Sequence, residues 1–155
     1  IVQAASLKLK AAGCTSCRAC QTIKEYRCVI DDDAAPVLAK MVGADAIVMA
    51  SPLYFFAASA QLKAVVDRMF SLYKWDNEKG TMQTPLAGKT FVFLGSAYED
   101  IGLDAMEKPF VLTAQYTGMP YESLLVPDAG VSGDIRQKKG ICEKAVALGI
   151  KIGKR

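Results

Sequence analysis

The chain has 155 residues, 52% hydrophobic and 23% charged, with 12 glycines and 6 prolines. One folded domain is expected, and disorder, collagen-like and low-complexity character are excluded. The 19 basic and 16 acidic side chains leave a charge of +3, too weak a surplus to argue for nucleic acid. There is no histidine, which removes Ser-His and Cys-His catalysis and His-ligated zinc.

Residues 1–7 read as a weak strand. Cys14, Cys17, Cys20 and Cys28 follow, spaced C-x2-C-x2-C-x7-C. An apolar chain of this length needs no disulfide staples. The spacing also departs from zinc sites in which two C-x2-C pairs are separated by a longer loop. Three cysteines at steps of three suit a [4Fe–4S] cluster, because a tight loop aims three thiolates at one face and the fourth arrives from further along. Zinc and free thiols stay open as alternatives. Cys142 falls in a helical pattern and is expected in the core.

Asp31, Asp32 and Asp33 read as a solvated turn feeding a helix, with carboxylates favoured at its positive end. Pro36 and Gly43 frame a helix over 35–42. Residues 46–50 (AIVMA) form the continuous apolar run of a strand buried on both faces, and 51–58 is the loop after it. The uncharged stretch 46–62 contains Ser51, Pro52, Ser59 and Gln61 and is rejected as a membrane span. Ser59 caps a helix whose Leu62, Val65, Val66, Met69, Phe70 and Tyr73 make one apolar stripe.

Residues 74–88 read as a polar loop, 90–95 as a second buried strand and 96–102 as its following loop. Leu103, Met106, Phe110, Ala114 and Thr117 space as a helix, with Pro109 in its first turns or at a kink. Residues 121–126 read as a third strand and 134–151 as the last helix. This alternation argues for an α/β fold, a doubly wound parallel sheet with helices on both faces. Ligands of such sheets bind outside the C-terminal strand ends, where loops 51–58 and 96–102 lie.

Residues 44–68 read ADAIVMASPLYFFAASAQLKAVVDR, which combines alanine-aspartate, an apolar run, S-P-x-Y-F, S-x-Q-L-K and D-R. Residues 13–33, GCTSCRACQTIKEYRCVIDDD, join the cysteine loop to C-V-I and an acidic turn. With YTGMPYESLLVPDAG at 116–130 and ALGIKI at 147–152, the sequence resembles the flavodoxin-like NAD(P)H-dependent FMN reductases, in their iron–sulfur flavoprotein branch.

The resemblance implies a flavodoxin-like sheet and bound FMN. Ser51, Pro52, Leu53, Tyr54 and Phe55 match the loop lining the isoalloxazine ring, and Gly95, Ser96, Ala97 and Tyr98 match a second flavin-side loop. Backbone N–H groups there would bond the ring edge and aromatics would cover it. The implied function is an oxidoreductase or electron-transfer flavoprotein. It would move electrons between NAD(P)H as co-substrate or a ferredoxin-type donor, FMN, a cluster on Cys14, Cys17, Cys20 and Cys28, and a small-molecule or protein acceptor. No catalytic side chain is expected. Asp67 and Arg68 read as surface or interface groups. The expected assembly is a homodimer or homotetramer in the cytoplasm, with no nucleic-acid or membrane partner.

A second reading is a non-catalytic flavin-binding redox sensor whose cysteines are thiol switches or bind zinc. A nucleotide-binding regulatory domain is a third, resting on fold alone. The family pattern opens with a strand, a phosphate loop and a helix that this sequence lacks, and strand order 2-1-3-4-5 puts that strand beside residues 46–50. An additional N-terminal β-loop-α unit is therefore expected in the natural polypeptide, with the phosphate-binding residues on it.

Overall fold

The computed structural model describes residues 10–154; the strand expected at 1–7 lies outside them. After a single 3-10 turn (Ala19–Gln21), the elements in chain order are α1 (Ala34–Gly43), β1 (Ala46–Pro52) and α2 (Ala60–Arg68), the last prolonged by a 3-10 turn (Met69–Leu72). Then come β2 (Lys74–Asp76), β3 (Thr81–Gln83), β4 (Thr90–Ser96), α3 (Leu103–Thr117), β5 (Tyr121–Val126), a 3-10 turn (Asp134–Gln137) and α4 (Ile141–Gly153). None of the described helices is long and apolar enough to cross a membrane. The chain divides into two compact units, Ile1–Asp45 with Ser59–Lys89, and Ala46–Ala58 with Thr90–Arg155.

The second unit holds a three-stranded parallel sheet in the order β1-β4-β5, with Ala46 opposite Thr90 and Phe91 opposite Tyr121. β4 is central, and its Phe91, Val92 and Phe93 are fully buried, as a continuous apolar run requires. β1 alternates instead. Ile47, Met49 and Ser51 are buried, whereas Val48 is 54% exposed and Ala50 is exposed. The double-sided burial expected of AIVMA is therefore not found among the described residues; β1 is an edge strand of this sheet with one open face. The strand also runs two residues further than expected and takes in Ser51 and Pro52.

α3 buries Leu103, Met106, Phe110, Ala114 and Thr117, the five positions its periodicity marks. Phe110 stacks on Phe93 with ring centroids 3.9 Å apart, so the helix is fastened to the middle of the sheet. Pro109 is accommodated inside the helix, and the Thr113 hydroxyl donates to its carbonyl. The expected helix over 134–151 is broken. Gly140, at φ 84, separates the 3-10 turn from α4, because a left-handed residue cannot continue a right-handed helix. α4 has no fully buried residue, and Cys142 is exposed on it rather than in the core. Lys151 of α4 pairs with Glu122 of β5 at 2.6 Å.

In the first unit α1 buries Ala34, Leu38 and Met41 and packs against α2 and the 3-10 turn after it. Ser59 caps α2 as expected, its hydroxyl accepting from the Leu62 N–H at 3.3 Å. The apolar stripe does not continue to Tyr73 in α-helical phase. The tighter 3-10 winding from Met69 turns Phe70 outward and brings Ser71 and Leu72 inside. Residues 74–88 are not all loop. β2 and β3 form a short antiparallel hairpin whose turn is tied by Asp76 Oδ1, which accepts from the N–H groups of Glu78 and Lys79.

Candidate functional site

Two sites of different chemistry stand out, one in each unit. In the second unit, β1 and β4 end side by side and their loops are joined: the Leu53 N–H donates to the Ser96 carbonyl at 2.7 Å. Beyond Leu53 the chain folds back in a two-residue turn. Tyr54 and Ala57 exchange both backbone hydrogen bonds, at 2.9 and 3.1 Å. Phe55 and Phe56 occupy the turn at φ 51 and 64. Left-handed backbone at both positions is the geometry of Asn-Gly turns, and bulky residues adopt it only under strain, which clusters at functional sites. The turn holds Phe55 97% exposed and lays the Phe56 ring over Gly102, whose missing side chain makes the room. Tyr54 and Tyr98 are also mostly exposed.

The nine residues expected to line a flavin thus fall into two groups. Tyr54, Phe55 and Tyr98 present aromatic surface at the strand ends. Ser51 and Ala97 are buried, and a side chain on Gly95 would collide with Met106 and Leu125, so glycine there serves the packing of α3 on β4. Three N–H groups of these loops are committed internally: Leu53 to Ser96, Tyr54 to Ala57 and Ala97 to Val126. Pro52 has none to give. The loop after β5 joins the same rim, since the Ala129 N–H donates to the Ala97 carbonyl at 2.7 Å. That third loop was not singled out from sequence as a site element, although Asp128 and Gly130, both at positive φ, are the residue types that mark such turns.

In the first unit, Cys14, Cys17, Cys20 and Cys28 line one cavity of about 470 Å³ together with Arg68 and Ser71. All four thiols are free; Cys14 and Cys17 are exposed and Cys20 is buried. Ser16 and Arg18, on either side of Cys17, are left-handed at φ 57 and 58, and these two kinks fold the C-x2-C-x2-C run back on itself. The Ser16 N–H points at Cys14 Sγ, 3.4 Å away. Lys74 Nζ donates to the Cys20 carbonyl, and Gln21 Nε2 donates to the Tyr73 carbonyl at 2.9 Å, which fixes the Cys20 end of the loop.

Arg68 is not a surface group. Its side chain is fully buried and its Nη1 lies 2.5 Å from Asp32 Oδ2 and 2.6 Å from Oδ1. Nη2 donates to the Ile30 carbonyl at 2.9 Å. Asp32 also accepts from the N–H groups of Ala12 and Ala34, each at 3.0 Å. Asp32 is therefore a latch across the cysteine segment, while Asp31 and Asp33 stay exposed in the turn that leads into α1. Burial pushes the Asp32 carboxyl up, but the Arg68 hydrogen bond and the two backbone N–H groups outweigh it and hold the pKa below its ordinary value. Burial likewise opposes the Arg68 charge, and Asp32 and Cys28 beside it more than offset this.

Among the described residues no three Cys, Asp or Glu side chains gather round a point as one ion requires. A tetrahedral zinc draws its sulfurs to about 3.8 Å of each other, given Zn–S lengths of ~2.3 Å. A cubane bonds each thiolate to a different iron and accepts wider spacing. Four thiols around one cavity, with the Ser16 N–H and the Gln21 side-chain amide turned toward sulfur, fit the cubane better.

Comparison with known proteins gives the family and the fold. Residues 3–121 match the NADPH-dependent FMN reductase family. An iron–sulfur flavoprotein of Methanocaldococcus jannaschii is 46% identical over 55 residues, 36% of this chain and 28% of that protein. An FMN-dependent NADH:quinone oxidoreductase of Methylocella silvestris is 35% identical over 69 residues, 44% of this chain and 26% of that one. The matched stretches therefore span less than a third of these relatives. Among solved structures, an FMN-dependent NADH-azoreductase from Bacillus anthracis in complex with FMN aligns with a TM-score of 0.61 at 14% identity, over 76% of this chain and 60% of that one. At that identity the likeness shows the fold, which is flavodoxin-like.

Proposed function

Because the chain belongs to the NADPH-dependent FMN reductase family, we propose that it is an FMN-dependent oxidoreductase of iron–sulfur flavoprotein type. It would take electrons from NAD(P)H or a ferredoxin-type donor and pass them to a small-molecule or protein acceptor. The observation that carries this reading is the strained aromatic turn at the C-terminal ends of adjacent parallel strands, the position where such sheets hold ligands. When bound there, FMN supplies hydride acceptance and release of electrons in pairs or singly. The chain's part is to hold and shield the ring. Tyr54, Phe55 and Tyr98 provide apolar faces that stack on it and keep water away, while Ser51, Pro52, Leu53, Gly95, Ser96 and Ala97 set the backbone beneath them.

Cys14, Cys17, Cys20 and Cys28 would hold a [4Fe–4S] cluster, which suits one-electron exchange. The thiol-switch reading has one observation of its own, the exposure of Cys14 and Cys17. Anaerobic purification of the full-length natural polypeptide, reconstitution with excess FMN and desalting, followed by flavin, iron and sulfide analysis, separates the readings. Retained flavin that NAD(P)H bleaches, with about four iron and four sulfide per chain, is expected. Flavin with neither iron nor sulfide would favour the switch. Loss of all flavin would overturn the oxidoreductase assignment.

A further inference from the structure

One buried polar atom of a residue that lines the cysteine cavity has no hydrogen-bond partner among the described residues. Arg68 Nε is buried and makes no hydrogen bond, although the same guanidinium donates through Nη1 to Asp32 and the Ala12 carbonyl and through Nη2 to the Ile30 carbonyl. A buried N–H left unpaired costs about 1–3 kcal/mol, so such an atom needs an explanation. Arg68 lines the cavity with the four cysteines, and the Cys28 thiol lies within its electrostatic reach. Asp32 holds Nη1 through both carboxylate oxygens, and the acidic turn that carries Asp32 begins three residues after Cys28.

We propose that Arg68 is a positioning residue of the cysteine centre: Asp32 locks its guanidinium so that Nε–H is presented to sulfur of the bound group, either the Cys28 thiolate or an inorganic sulfide. This rests on the cluster reading given above. An N–H donated to sulfur, with a fixed positive charge behind it, favours the reduced and more negative state of the centre. Lysine keeps the charge but cannot supply a planar fork held at both ends.

The test uses the full chain, purified anaerobically, with iron and sulfide measured first. Absence of a cluster in the wild type defeats the cluster reading and this inference with it. With the cluster present, two measurements decide the role of Arg68. Protein labelled with 15N at arginine Nε, reduced by one electron, should show a weak 15N hyperfine coupling that disappears in Arg68→Lys and persists in Arg18→Lys and Arg27→Lys. Arg68→Lys should also shift the reduction equilibrium about tenfold toward the oxidised form, a potential about 59 mV lower for one electron. No coupling in the wild type, or a coupling with equal potentials in wild type and Arg68→Lys, overturns the proposal while leaving the cluster intact. If Arg68→Lys assembles no cluster, the wild-type coupling decides, with the two other arginine variants as its controls.

Discussion

Gly102 has no room for a methyl group. A Cβ there would lie 2.4 Å from Cδ1 of Phe56, and the residue sits at φ 78. Gly102→Ala should cost about 1–3 kcal/mol through overpacking and backbone strain, read as a lower urea midpoint. Because Phe56 shares its turn with Phe55, the same variant should retain less FMN on desalting. Asp32→Asn probes the other unit. Removing one partner of a buried ion pair costs about 3–5 kcal/mol. The sign of the pH effect follows from the depressed Asp32 pKa. Its stabilisation is fully present above the unfolded value of 3.8 and is lost as pH falls through the lower folded value. Acid titration of the metal-free wild type should therefore show a component below about pH 4 that Asp32→Asn lacks; identical acid profiles would refute it. Arg68 was misread from sequence because its burial depends on a carboxylate 36 residues away. Local periodicity carries no record of that pairing.

α3 was legible almost residue by residue, since its packing follows one uninterrupted 3.6-residue stripe and its Gly118 end is left-handed at φ 69. Phe110→Ala removes the ring stacked on Phe93 and should cost about 3–5 kcal/mol by cavity formation, checked by denaturant unfolding at unchanged m-value. β5 was equally plain. Its Tyr121 hydroxyl donates to Glu107 Oε1 at 3.1 Å; burial, then the Glu107 charge, raise the Tyr121 pKa. The raised value means that the associated stability is intact below the unfolded value of about 10 and fades as pH climbs beyond it. Tyr121→Phe should cost about 1 kcal/mol at neutral pH and flatten the alkaline loss of stability. Other elements were hidden for physical reasons. β2 and β3 are three residues each, too short to show alternation, and are held by Asp76 rather than by an apolar face. The stripe on α2 broke where the helix tightened, which periodicity at 3.6 cannot anticipate.

Over the whole molecule, the aromatic rim and the cysteine cavity belong to different compact units, so damage to one should spare the other. Cys17→Ala is expected to lose its iron and keep its flavin, measured on the same desalted sample; parallel loss of both would contradict this independence. The edge of the sheet has a consequence for handling the protein. Among the described residues β1 is hydrogen-bonded on one side only, carries no charge from Ala46 to Pro52 and leaves Val48 54% exposed. An uncharged, apolar strand with open backbone groups is a template on which further strands assemble. Wherever this edge is left open, turbidity should grow with concentration, and Val48→Lys should delay it without shifting the unfolding midpoint by more than about 0.5 kcal/mol.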